Sequence, residues 1–74
     1  MIFDVYGRMR LEVVREEDRW VVYKLTPGKR LKRPDLVIPA MLATPAEIAT
    51  YLDDLFHEMS GPGDKVREIS GRDA

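Results

Sequence analysis

The chain has one histidine, His57, to offer for proton transfer or metal binding near neutral pH. Asp53 and Asp54 stand four and three residues before it, the spacing that brings side chains together on a helix surface. Those carboxylates, and a helix C-terminus, would favour the charged imidazole. A general acid or base also needs a pocket and a partner on the substrate side. A metal needs third and fourth ligands, and the neighbouring sequence supplies none. At about 100° per residue His57 falls opposite the apolar stripe of its helix, which predicts a solvated surface position. The serines Ser60 and Ser70 have no base or oxyanion-donor pattern around them, so neither reads as a nucleophile. Pro27-Gly28-Lys29 and Gly61-Pro62-Gly63-Asp64 do not link a strand to the start of a helix, so neither reads as a phosphate loop. With no cysteine in the chain, thiolate zinc sites, disulfides and cysteine nucleophiles are excluded. The residues therefore nominate no catalytic, cofactor or metal site and no small-molecule substrate, and the chain is not read as an enzyme.

Binding chemistry is better represented. Lys29-Arg30-Leu31-Lys32-Arg33 places four positive charges within five residues. Such a loop can meet phosphates, and Trp20 and Tyr23 on the preceding strand could supply stacking platforms for single-stranded nucleic acid. Against this, consecutive strand residues alternate faces, so Trp20 and Tyr23 project oppositely and cannot both stack beside the loop. The net charge of −1 is also slightly acidic, where nucleic-acid domains are usually basic. A solvated loop or an acidic protein partner accounts for the same run.

The chain has 74 residues, which allows one domain with one small core. Charge is unevenly spread: residues 1–40 carry nine Lys or Arg against six Asp or Glu, and residues 41–74 carry three against seven. The N-terminal residues show neither the basic nor the apolar region of a signal peptide. The longest uncharged stretch, Leu36 to Ala46, holds two prolines and is shorter than the ~20 residues of a membrane span. A cytoplasmic protein with no membrane contact is the expectation.

The elements that must position these residues follow from periodicity. Residues 2–6 read as a first strand, broken by Gly7. Residues 9–16 alternate, with Met9, Leu11 and Val13 on one side, and read as a second strand. The charged turn Glu16-Glu17-Asp18-Arg19 leads to a third strand over Trp20 to Leu25. Thr26-Pro27-Gly28 matches a type II turn, and residues 29–34 read as a loop. Leu36-Val37-Ile38, flanked by prolines, fits a short edge strand or an extended packing segment. Thr44-Pro45-Ala46-Glu47 is a capping box with Pro at N1. The helix it opens is expected to run roughly sixteen residues, burying Ile48, Leu52, Leu55, Phe56 and Met59, and to end at Gly61 in the left-handed region.

The predicted fold is thus α+β: a three-stranded antiparallel sheet, with or without a short fourth strand at 36–38, and one C-terminal helix on one face. Residues 1–60 form the domain and residues 61–74 a flexible tail. In the third strand both Trp20/Val22 and Val21/Tyr23/Leu25 are apolar, while one helix covers only one face. The uncovered set, with Ile2, Tyr6 and Val14, would form an apolar patch of the size monomers rarely leave bare. Either the chain's own loops or tail cover it, or a protein partner or second copy docks on the open face or edge. The candidate interaction residues are Trp20, Tyr23, Tyr6, Lys29, Arg30, Lys32 and Arg33. Weak nucleic-acid binding through 29–33 is the alternative.

Phe3-Asp4-Val5-Tyr6-Gly7-Arg8, Asp35-Leu36-Val37-Ile38-Pro39 and Tyr51-Leu52-Asp53-Asp54-Leu55-Phe56-His57-Glu58 together resemble a family of small uncharacterised bacterial proteins. The resemblance spans residues 2–59 and implies a stand-alone bacterial domain, with no activity or cofactor to carry over. It directs attention to Arg8, Asp35 and His57, each read first as structural, for example through an Arg8–Asp35 pair that holds the first hairpin.

Overall fold

The computed structural model describes residues 1–69. Five strands and one helix follow in the order β1 (Ile2–Val5), β2 (Met9–Glu16), β3 (Arg19–Thr26), β4 (Lys29–Lys32), α1 (Pro45–Leu55) and β5 (Val66–Ile69). A single 3-10 turn, His57–Met59, follows the helix. The strands form one antiparallel sheet in the order β4-β3-β2-β1-β5. The α+β class stands, but the expected three-stranded sheet is corrected to five strands.

β4 comes from a run whose composition argues against a strand, and β5 from a glycine-rich, charged segment read as a tail. β4 is most of the basic run, and only Leu31 in it is apolar. It pairs because the two-residue turn Pro27-Gly28 returns the chain directly beside β3, with Thr26 opposite Lys29 and Gly28 at φ +83°. A strand of lysine and arginine suits a sheet edge, where charge discourages pairing with another chain. β5 lies in the segment read as a tail, and its Val66 pairs with Val5 and its Ile69 with Ile2. Ser70 and the remainder of that tail lie outside the described residues. Residues 36–38 form no strand.

Alternation sorts the sheet into two faces. Phe3, Val5, Leu11, Val13 and Val22 are nearly inaccessible and share the inner face. That face also takes Trp20, which answers which set of β3 points inward. Ile48 and Leu52 from α1 and Ile38 from the irregular segment complete the core. The helix packs over β1 and β5, while residues 36–42 cover the inner face beside β2 and β3.

The capping box at Thr44 is present, with Glu47 accepting from the Ala43 and Thr44 amides. Those two bonds hold the Glu47 carboxyl below its ordinary range. The helix is shorter than expected. It is capped at Phe56, whose amide bonds Leu52 oxygen at 3.0 Å, and the 3-10 turn follows. This change of period turns Met59 away from the stripe and leaves it 43% exposed; Leu55, still helical, is 44% exposed. Gly61 does not take the left-handed cap; Gly63, beyond both helix ends, is the glycine at positive φ (+84°), within a turn where Asp64 Oδ2 accepts the Gly61 amide at 2.7 Å.

Glu17 occupies the first central position of the β2–β3 hairpin at φ +59°. A side chain in that region costs on the order of 1 kcal/mol or more, which glycine avoids. Replacing Glu17 by Gly should therefore raise stability by up to about 1 kcal/mol in urea titration. Leu52→Ala should cost about 2–5 kcal/mol, because the side chain is fully buried. His57→Ala, at an exposed position, should stay within about 0.5 kcal/mol; equal losses from the two would contradict the face assignment.

Candidate interaction edge

The end of β4 leaves part of the neighbouring strand edge open. The Arg33 amide bonds Val22 oxygen at 2.8 Å and is the last rung between the two chain segments. Proline follows at 34 and has no amide hydrogen to continue the ladder. Asp35 then receives Arg33 in a two-bond fork, Nε to Oδ1 at 3.0 Å and Nη2 to Oδ2 at 2.8 Å. This pair holds the Asp35 carboxyl below its ordinary range. Asp35 thus pairs with Arg33 and not, as expected, with Arg8. The fork closes the turn, marked by the Leu36 amide on Arg33 oxygen at 3.1 Å, and sends the chain over the sheet edge to the inner face.

β4 pairs only with residues 23–26 of β3, so Arg19, Trp20 and Val21 have no strand beside them on that edge. Backbone groups two residues apart in a strand point the same way. Val22 oxygen points to β4, so the Trp20 amide and carbonyl point past the end of β4 along the open edge. Beside them lies a cavity of about 150 Å³. Its floor is Trp20, Val21 and Val22, and its far wall is Pro34, Leu36 and Ile38. Arg19, Lys32 and Arg33 stand at the rim. Among the described residues, Arg33 is the only rim cation in an ion pair.

The wall is held by side chains because it has no secondary structure. The Trp20 indole N–H donates to Leu42 oxygen at 2.9 Å, Arg15 to Ala40 oxygen at 3.2 Å and the Tyr51 hydroxyl to Val37 oxygen at 2.9 Å. The Arg15 guanidinium also lies 4.6 Å from the centre of the Trp20 ring.

The other candidate residues are dispersed. Tyr23 is on the outer face, where the Arg30 guanidinium stacks 4.0 Å from its ring centre. Arg30 also pairs with Glu12 at 3.0 Å, and the Tyr23 hydroxyl donates to Glu16 at 3.0 Å. The Glu16 hydrogen bond and partial burial raise the Tyr23 phenol above its ordinary value. This network covers much of the outer face, and Ile2, Val14, Tyr23 and Leu25 are only half-exposed while Val21 is buried. The open apolar patch expected there is thus broken up by the arginine and tyrosine side chains. Lys29 sits at the hairpin end of β4. Among the candidates, the fold gathers Trp20, Lys32 and Arg33 at one place. What sequence reading passed over is the wall at 34–38, although Pro34 directly after the basic run is a signal that pairing stops there.

Tyr6 does not join the outer face. It is 7% exposed, adopts φ +58° and donates its hydroxyl to Asp53 Oδ1 on α1. Asp53 is therefore engaged by Tyr6 and not by His57, which is exposed in the 3-10 turn. No group of three or more potential metal ligands occurs among the described residues. None of their helices is long and apolar enough to cross a membrane.

Burial and then the Asp53 carboxylate push the Tyr6 phenol from 10.0 up to about 12. The folded state keeps this proton longer than the unfolded chain does. Its stabilising contribution is therefore complete below about pH 10 and lost as pH rises toward 12. Denaturant midpoints should fall more steeply over that interval in the parent than in Tyr6→Phe; parallel curves would show that the phenol is not coupled to folding.

No curated protein and no solved structure matches the chain. The model of a family described as a domain of unknown function, DUF7661, matches residues 1–70. The segments that resemble an uncharacterised family lie within that span, and the chain belongs to the DUF7661 family.

Proposed function

We propose that this domain is a protein-interaction module that receives an extended segment of a partner protein on the open edge of β3. The observation that carries the reading is the unpaired stretch Arg19–Val21 lying beside an apolar cavity. An added strand would bond the Trp20 amide and carbonyl and place alternate side chains against the groove, the usual division between affinity and specificity in strand addition. The outer face supports binding less, since its apolar side chains lie among the Glu16–Tyr23–Arg30–Glu12 network.

Less supports nucleic acid at residues 29–33. Arg30 and Arg33 are already paired with carboxylates. Both candidate stacking rings, Trp20 and Tyr23, carry an arginine over them.

Amide NMR spectra of the full chain, titrated with a blocked peptide of alternating valine and threonine, test the reading. Shifts should concentrate at residues 19–22 and 33–38 and disappear in Val37→Asp. Val37 borders the groove and is 68% exposed, so that variant should keep its fold. Shifts centred on Glu12, Val14 and Tyr23 would overturn the edge assignment, as would an unchanged spectrum at millimolar peptide.

A further inference from the structure

The faces of the open edge specify the partner further. Arg19 and Lys32 lie on the outer face, Lys32 being opposite Tyr23 in the register. Trp20 and Val22 lie on the inner face, with Ile38 packed beside them. A strand laid along Arg19–Val21 continues this alternation, because side chains opposite one another across a ladder share a face. Its outward side chains would stand beside Arg19 and Lys32, both exposed and without a carboxylate partner among the described residues. Its inward side chain would enter the apolar cavity. A space of about 150 Å³ matches one that admits a benzene-sized group in another protein.

We infer that the segment taken at the β3 edge is acidic and alternating, with carboxylates outward and one aliphatic or aromatic side chain directed into the groove. This rests on the strand-addition reading above. Charge complementarity selects the occupant. A second copy joined edge to edge would bring Arg19, Lys32 and Arg33 toward their own counterparts, a like-charge arrangement that disfavours wrong partners. A nucleic acid would satisfy the cations, but its bases would find no free indole face to stack on, because the Trp20 N–H is held by Leu42 oxygen and the Arg15 guanidinium lies over the ring.

Trp20 is the only tryptophan and lines the groove, so its emission reports on occupancy. The full chain is titrated with three blocked peptides that share alternating valines and differ in the intervening residues: glutamate, threonine or lysine. A thymidine oligonucleotide is a fourth probe. The glutamate peptide should bind about three- to tenfold tighter than the threonine peptide at low salt, the scale of one or two exposed ion pairs. The advantage should shrink as salt screens it, and Lys32→Glu should remove or reverse it. Equal or tighter binding of the threonine or lysine peptide would overturn the acidic assignment while leaving strand addition in place. Binding of no peptide would overturn the strand-addition reading itself. Preferential binding of the oligonucleotide with a steep salt dependence would overturn it in favour of nucleic acid.

Discussion

The irregular segment from Pro34 to Leu42 has no ladder or helix of its own, yet the inner face of β3 depends on it for cover. It is tethered instead through its carbonyls, of which the one at Leu42 is partly buried and those at Val37 and Ala40 lie at the surface. Donors from three separate elements meet them: Tyr51 of α1 at Val37, Arg15 of β2 at Ala40 and Trp20 of β3 at Leu42. The same attachment carries Ile38 into the core and leaves Val37 facing water. Without it, one wall of the groove would be lost and the inner face beside Val22 uncovered.

This division of cover explains the position of the helix. An eleven-residue helix is too small to cover a five-stranded sheet. It packs on β1 and β5, and the irregular segment takes the neighbouring part of the sheet. At the far corner the cover ends. Leu31, which shares the inner face through its pairing with Lys24, remains 43% exposed. The open stretch of β3 adjoins this thinly covered end, where proline stops the edge strand early and the turn crosses from edge to face.

Tyr6 ties the opposite side together. A bulky residue at positive φ is an outlier that persists only when its surroundings enforce it. Here the enforcement is visible: the side chain is buried, its hydroxyl is bound by Asp53 of the helix, and its amide donates to Lys65 oxygen at the entry to β5. The β1–β2 turn, the helix and the entry to β5 meet at this one residue. The Tyr6 hydroxyl bond to Asp53 thereby ties the helix to the β1–β2 turn.

What the sequence determined by itself was local. The capping box at Thr44 and Glu47, the alternation of Leu11 and Val13, and the turn at Pro27-Gly28 follow from bonds and steric limits among residues within a few positions of one another, so they are legible without a fold. The opposed projection of Trp20 and Tyr23 has the same origin. Which of the two faces the core is not local, because both sides of β3 are apolar; the packing of Ile38 and the carbonyl of Leu42 decide it. Strands β4 and β5 were illegible for the same reason. The lysines and arginine of β4 carry little strand preference, β5 has only Val66 and Ile69 to favour one, and both segments become strands because β3 and β1 present edges beside them. The groove belongs wholly to the tertiary structure, since it exists where Pro34 ends one pairing and residues from two distant stretches, 19–22 and 34–38, face each other across the gap.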